Sequence, residues 1–276
     1  MGQCMRSQFT EHDTEAFYDA EDALYRSFWD SEGSLHWGWF DDTTGDDFLK
    51  ACANLNRIMA EKTGISSQSR VLDLGCGNGN TAAWLCKTTG CRATGVDLSG
   101  VRISDAIAAA KELPPENSSL LAFEKASATE LPFEQASFTH VWSQATIYHV
   151  HEKQQALEQV YRTLEANGLL VFDDLTKPKS DISPTAQRYV YDRLLFDTPF
   201  SFSTYQDALK AIGFQVLEAH DLSPHLKQSY QCLEQMALAR TEGKDDKFEQ
   251  LSYSYQRMVQ AIDNQELGWG MYLCRK

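Results

Sequence analysis

Three glycines and two acidic residues are the part of this 276-residue sequence that points most directly to chemistry. In VLDLGCGNGN, an apolar strand pattern includes Asp73 and is followed by glycine at positions 75, 77 and 79. Such a loop lets the main chain contact a ligand, because a Cβ atom there would hold the backbone away. Eighteen residues after Gly79, the strand pattern ATGVDLSG contains Asp97, a carboxylate that can bind both hydroxyls of a ribose. We therefore predict a nucleoside-containing cofactor at the carboxyl edge of a parallel sheet.

The glycine loop does not fit the two common phosphate-binding motifs. Counted from Gly75, the G-x-G-x-x-G fingerprint of dinucleotide sites needs glycine where this chain has Asn80. No lysine follows the loop, as a P-loop would require. The form D-x-G-x-G-x-G suits a ligand without phosphates. It resembles the first motif of the class I S-adenosylmethionine (SAM) dependent methyltransferases.

Further segments resemble that family in the right order, over roughly residues 71–221 and the last eight residues. FEKASATELPF is similar to the third motif, a strand and loop beside the adenine, although most members have aspartate where this chain has Ser127. FTHVWSQATIYHV is similar to the fourth strand. After it we expect a helix ended by Gly168, then a fifth strand, a late helix–strand unit and a last strand at WGMYLCRK. The resemblance implies an α/β fold with a doubly wound, mostly parallel seven-stranded sheet.

The resemblance also implies which residues bind SAM and its product S-adenosyl-L-homocysteine. The loop backbone is expected to hold the methionine end, Asp97 the ribose, and Leu98 the face of the adenine. The full set expected at the cofactor is Asp73, Gly75, Cys76, Gly77, Asn78, Asp97, Leu98, Ser127, Ala128, Ser143, Tyr18 and Trp29.

The N-terminal segment FYDAEDALYRSFWDSEGSLHWGWFDD is rich in aromatic residues. Together with VWSQ and PHLKQSY, it resembles the glycine–sarcosine–dimethylglycine (glycine betaine type) N-methyltransferases, in which this segment walls the substrate site. Aromatic faces attract ammonium groups, although Trp29 and Trp37 also fit a staple that packs a helix on the sheet. We expect catalytic roles for His149, Gln144 and Tyr25, and substrate contacts from His36, Trp37, Tyr148, Arg188 and Arg193. A substrate carboxylate is expected to bind Arg188 or Arg193, with Lys227 as a further candidate.

The sequence leaves other acceptors open. HWGWF is also similar to a segment of enzymes that methylate carbon in lipids, quinones or prenyl chains, and O-methylation of a phenol or carboxylate is a further alternative. A further alternative, from a different functional class, is a SAM-binding partner protein that does not catalyse methyl transfer. Asp173 and Asp174, at the end of the fifth strand, fit either a cation contact or a capping role. No metal site is predicted, because His149 and His151 lack matching carboxylates or cysteines.

The composition favours a small-molecule enzyme. The net charge of −14 argues against nucleic acid as the substrate, because phosphates would be repelled. Seven scattered cysteines without a C-x-x-C pair predict reduced thiols and a cytoplasmic setting. We expect no membrane interaction, because no apolar run reaches the ~18 residues of a span, and no export leader is evident. The mixed charges of TEGKDDKFEQL fit a solvated face or a homodimer contact.

The chain shows three zones, residues 1–69, 70–222 and 223–266, which we interpret as one elaborated domain. Residues 1–69 are expected to form a helical cap over the substrate. Residues 70–276 are expected to form the SAM-binding methyltransferase domain, with lid insertions around 175–203 and 223–266.

Overall fold

The computed structural model describes residues 9–16, 36–240 and 246–276. Its strands are β1 (Arg70–Leu74), β2 (Arg92–Asp97), β3 (Leu121–Lys125), β4 (Phe138–Gln144), β5 (Leu164–Thr176), β6 (Gln215–Asp221) and β7 (Gly268–Arg275). Its helices are α1 (11–16), α2 (Phe48–Thr63), α3 (Asn80–Thr89), α4 (Gly100–Lys111), α5 (Pro115–Ser118), α6 (Lys153–Thr163), α7 (Pro184–Ala186), α8 (Phe202–Ile212), α9 (Ser223–Leu238) and α10 (Asp246–Asp263). A 3₁₀ turn (Ile147–His149) and a π-helical turn (Gln187–Asp192) complete these segments.

The strands form one seven-stranded sheet in the order β3-β2-β1-β4-β5-β7-β6. Strands β1 to β5 pair in parallel, and β7 runs antiparallel between β5 and β6. Because the chain order reverses beside β1, the carboxyl ends of β1 and β4 open a crevice, which is where ligands bind in doubly wound folds. The predicted fold class is confirmed.

Helices cover both faces of the sheet, and the central strands supply side chains to two apolar layers. Val71, Trp142 and Val171 belong to one layer, whereas Leu72 and Phe172 belong to the other. This alternation follows from the two-residue period of a strand. Helices α2, α9 and α10 pack in the first layer, and α6 and α8 pack in the second.

The expected helix end at Gly168 is wrong. Helix α6 ends at Thr163, and Leu164 already pairs with Phe138 as the first residue of β5. Leu164 is fully buried, so its packing in the core outweighs continuation of the helix. Gly168 lies within the strand, where an added Cβ would approach the Thr139 and Glu165 carbonyl oxygens to 3.0 Å. The glycine is therefore explained by close backbone approach.

None of the helices in the described ranges is both long enough and apolar enough to cross a bilayer.

Candidate active site

The glycine loop joins β1 to α3 in a conformation that depends on glycine. Gly75 and Gly79 have φ angles of 75° and 79°, in the left-handed region that side chains disfavour. A Cβ on Gly75 would lie 2.2 Å from the Thr146 side chain, and one on Gly79 would lie 2.6 Å from the ring of Phe123. The turn is anchored by the carbonyl of Val96, which accepts from the backbone N–H of Gly75 at 2.8 Å. The loop is thus fixed against the neighbouring strands.

Asp97 is held at the end of β2 by backbone donors on both carboxylate oxygens. Its Oδ2 accepts from the Gly77 N–H at 2.9 Å, and its Oδ1 accepts from the Ser99 N–H at 2.8 Å. The glycine loop therefore also orients this carboxylate. A carboxylate oxygen can accept more than one hydrogen bond, so Asp97 can still bind two ribose hydroxyls.

Asp73 and Asn78 bring buried polar groups to the cleft. Asp73 is 3% exposed, and its Oδ2 has no hydrogen-bond partner among the described residues. Burial and the nearby charge of Asp97 raise the pKa of Asp73 to about 7. The side-chain amide of Asn78 also lacks partners in this part of the chain. Buried polar groups normally find partners, so both residues fit the charged methionine end of SAM.

The cleft runs along the carboxyl ends of β3, β2, β1 and β4. Eleven of the predicted site residues line it: Asp73, Gly75, Cys76, Gly77, Asn78, Asp97, Leu98, Ala128, Gln144, His36 and His149. The described residues that line it without having been predicted are Glu11, Thr14, Glu15, Leu74, Asn80, Thr81, Val96, Ser99, Arg102, Ala126, Ala145, Thr146 and Val150.

Gln144 forms the β4 end of the cleft and is held there by a network of hydrogen bonds. Its Oε1 accepts from the indole N–H of Trp142 at 2.9 Å and lies 3.5 Å from the hydroxyl of Thr81. Its Nε2 donates to the Asn56 side chain at 2.9 Å. The network fixes the amide plane at the β4 end of the cleft.

His149 lies in the 3₁₀ turn that follows β4, and several neighbouring groups hold it in place. Its ring centroid lies 3.9 Å from that of Tyr148. Burial, with the positive charge of Lys153, lowers the pKa of His149 to about 3. Lys153 donates to the carbonyls on both sides of His149, those of Tyr148 at 2.9 Å and Val150 at 2.8 Å. The imidazole is therefore neutral and placed by a buried lysine.

Several predicted residues lie next to the cleft but not in its lining. Ser143 is fully buried and donates to the Leu74 carbonyl at 2.9 Å, so it joins β4 to β1. The Ser127 hydroxyl donates to the carboxylate of Glu11. Trp37 and Tyr148 are core residues, 2% and 5% exposed, with ring centroids 6.2 Å apart. The packing of Trp37 matches the staple alternative.

The two predicted substrate arginines lie in the segment 175–203 that we predicted to be a lid insertion, and neither lines the described cleft. Arg188 is exposed, with its guanidinium 5.3 Å from the ring centre of Tyr189. Arg193 packs against α10, 5.4 Å from the ring centre of Tyr255. Their contact with a substrate carboxylate stays a prediction. Tyr18, Tyr25 and Trp29 lie outside the described residues, so their predicted roles also stay predictions.

The strand-end acids expected to bind a cation or cap a turn have internal partners. Asp173 accepts from the indole N–H of Trp269 at 2.9 Å and lies 3.3 Å from the Ala145 nitrogen. Asp174 accepts from the Tyr148 N–H at 2.8 Å and the Tyr205 hydroxyl at 3.0 Å. Both acids thus hold the turn that carries His149.

Arg102 is a cleft residue that the sequence analysis missed. It is 8% exposed and lies in the first turn of α4, capped by the Ser99 hydroxyl, which accepts from its N–H at 3.1 Å. The capping serine two residues after Asp97 was a signal for the helix start. It could not show that the arginine side chain turns toward the loop, 3.6 Å from a Cβ built on Gly77.

Comparison with known proteins shows that the cleft lies within a methyltransferase domain, because the family model of that domain matches residues 72–172. Glycine/sarcosine/dimethylglycine N-methyltransferase of Actinopolyspora halophila is 31% identical over 227 residues, covering 79% of this chain and 38% of that relative. (+)-O-methylkolavelool synthase of Herpetosiphon aurantiacus is 29% identical, covering 79% of this chain and 75% of the relative.

The solved structure of geranyl diphosphate C-methyltransferase from Streptomyces coelicolor A3(2), bound to S-adenosyl-L-homocysteine, shares the fold with a TM-score of 0.77. The match covers 96% of this chain and 97% of that one at 14% identity. The three proteins methylate nitrogen, oxygen and carbon, so likeness to them does not select the acceptor atom. The fold, the cleft and these relatives identify the chain as a class I SAM-dependent methyltransferase of small molecules that resembles the glycine, sarcosine and dimethylglycine N-methyltransferases.

Proposed function

We propose that this enzyme transfers the methyl group of SAM to the nitrogen of a small amine, an amino acid or a related metabolite. The relative that methylates glycine, sarcosine and dimethylglycine supports this choice. The observation that carries it is the half-buried, neutral imidazole of His149 at the β4 end of the cleft.

The low basicity of His149 favours an amine over a phenol. A group whose pKa falls to about 3 is a poor base for a phenol, whose own pKa is ~10. An amine in its neutral form brings its own lone pair and needs no base before attack. The imidazole can accept a hydrogen bond from the amine N–H and thereby aim the lone pair along the S–CH₃ axis. Such alignment supplies much of the rate enhancement in transfer reactions, up to ~7–11 kcal/mol.

The other residues of the cleft have complementary roles in this proposal. SAM supplies an electrophilic methyl when it is bound. Asp73, Asn78 and the glycine loop hold its methionine end, and Asp97 holds its ribose. Gln144 contributes a neutral wall, so neither it nor His149 places a positive charge beside the sulfonium. The family resemblance implies roles for Tyr25 and Trp29 at this site, and these roles stay predictions.

The surroundings of the enzyme are also part of the proposal. The free cysteines of the described chain, Cys52, Cys76, Cys86, Cys91, Cys232 and Cys274, support a reducing cytoplasmic setting. The acidic net charge of −14 supports amines over nucleic acids as substrates. Homodimer formation is compatible with the mixed charges of residues 241–251.

Methyl transfer to a panel of acceptors tests the proposal. The purified protein is incubated with methyl-labelled SAM and glycine, sarcosine, dimethylglycine, larger amines, phenols or a prenyl diphosphate, and product masses are read. We expect label in one or more amines, with the mass giving the number of methyls. His149→Asn should lower kcat on the amine at least tenfold with little change in SAM affinity. Label confined to a phenol or prenyl acceptor would contradict the nitrogen assignment.

A further inference from the structure

Helix α1 lies at the β3 end of the cleft, opposite Gln144 and His149. Glu11, Thr14 and Glu15 line the cleft from this helix. Glu15 forms an ion pair with Lys125, with 2.6 Å between carboxylate oxygen and Nζ. Helix α1 is therefore attached to the end of β3 by this ion pair.

The order of strands fixes which way a nucleoside must lie. By the family resemblance, Asp97 at the end of β2 would bind the ribose, and Gln144, a predicted catalytic residue at the end of β4, would lie near the methyl group. Because the sheet order is β3-β2-β1-β4, the base would then extend from the ribose toward β3. Leu98, Ala126 and Ala128 line that part of the cleft, and their apolar side chains suit the faces of a purine.

A carboxylate stands where the edge of that purine would lie. Glu11 accepts a hydrogen bond from the hydroxyl of Ser127, and its Oε1 lies 3.4 Å from the hydroxyl of Thr129. Ser127 lies between Ala126 and Ala128, which line the slot for the base. An ionised carboxylate has about four acceptor positions, so these contacts leave capacity for a further donor. The adenine edge presents such a donor in its exocyclic amino group.

We propose that Glu11, oriented by Ser127, accepts a hydrogen bond from the adenine amino group and makes α1 part of the cofactor site. The carboxylate thus comes from α1, and the loop that follows β3 supplies the hydroxyl that positions it. This inference depends on SAM as the cofactor and is independent of the acceptor atom proposed above.

Calorimetric titration with two ligands tests this contact without any methyl acceptor. The ligands are S-adenosyl-L-homocysteine and its 6-deamino analogue, in which hydrogen replaces the amino group. Hydrogen bonds to charged groups contribute enough for about a ten- to hundredfold change in affinity. We expect the unmodified protein to prefer S-adenosyl-L-homocysteine by about that factor.

Substitutions then assign the preference to Glu11. Glu11→Ala should weaken binding of S-adenosyl-L-homocysteine to the level of the deamino analogue and leave the analogue's affinity nearly unchanged. Glu130→Ala removes the same charge from an exposed residue of the β3 loop and should leave the preference intact. Ser127→Asp in the Glu11→Ala background should restore the preference, because it returns a carboxylate to the same edge.

Two results would overturn the proposal. In one, Glu11→Ala retains the preference for the amino-bearing ligand. In the other, it weakens both ligands equally, which would mean that Glu11 only holds α1 in place. If the unmodified protein does not methylate amines but still prefers the amino-bearing ligand, only the proposed nitrogen acceptor would be contradicted.

Discussion

Binding of SAM should release a proton at mildly acidic pH, because the buried Asp73 must ionise to meet a cationic ligand. In the free protein, burial and the charge of Asp97 raise the pKa of Asp73 to about 7, and its Oδ2 lacks a partner among the described residues. The ammonium and sulfonium of SAM favour the ionised form. The pKa of this group should therefore fall on binding.

The expected size follows from proton linkage. With a pKa of about 7 in the free protein, roughly nine-tenths of Asp73 is protonated at pH 6, so binding releases about 0.9 proton. The association constant should then be about tenfold lower at pH 6 than at pH 8, or ~1.4 kcal/mol per pH unit below 7. His149 stays neutral throughout this range, because burial and Lys153 lower its pKa to about 3.

Isothermal titration calorimetry at pH 6 in two buffers with different ionisation heats measures the proton count. Asp73→Asn is the matched control, because it keeps the shape of the side chain and cannot titrate. The part of the proton release that Asp73 causes should vanish in this variant, which should also bind SAM more weakly at pH 8. Equal proton release by the two proteins would refute the role of Asp73.

Three further predictions concern stability, positioning and the loop. The pKa of Asp73 in the folded protein is raised above its unfolded value of 3.8, so the contribution of this group to stability falls as pH rises from about 4 to 7. Asp73→Asn should therefore raise the free energy of unfolding of the cofactor-free protein at pH 8 by at most ~4 kcal/mol, which a higher melting temperature would show. Lys153→Met removes a buried ammonium that donates to three carbonyls at 2.6–2.9 Å, so kcat should fall more than tenfold. The SAM affinity, measured by calorimetry, should change less than threefold, and Lys153→Arg should retain part of the rate. Gly75→Ala places a Cβ 2.2 Å from Thr146 at a φ of 75°, so calorimetry should detect no SAM binding by a protein that still melts cooperatively. An unchanged melting temperature of Asp73→Asn at pH 8 would contradict the first prediction. Parallel loss of kcat and SAM affinity in Lys153→Met would contradict the second, and SAM binding by Gly75→Ala would contradict the third.

The parts of the molecule that could be predicted from sequence are those whose signals are local. The sheet follows from alternating strand and helix patterns, and the glycine loop and Asp97 are marked by residue types at fixed spacing. These features lie within the short segment from β1 to β2, where few alternatives compete. The predicted helix end at Gly168 is wrong because the helix ends at Thr163 and the buried Leu164 already belongs to the strand.

The remaining parts depend on contacts between distant segments. The partner of Ser127 is Glu11, 116 residues away, and no pattern within either segment indicates their contact. Trp37 carries an aromatic face suited to an ammonium, yet it packs in the core beside Tyr230 and Trp269. Only the folded structure distinguishes an aromatic residue that lines a substrate site from one that packs in the hydrophobic core.

A crystal structure of the protein with S-adenosyl-L-homocysteine tests the central claim most directly. The account predicts the ribose hydroxyls on Asp97, the adenine between Leu98 and Ala128 with its amino group on Glu11, and the sulfur directed toward Gln144 and His149. A ribose away from Asp97, or a sulfur atom at the β3 end of the cleft, would contradict it.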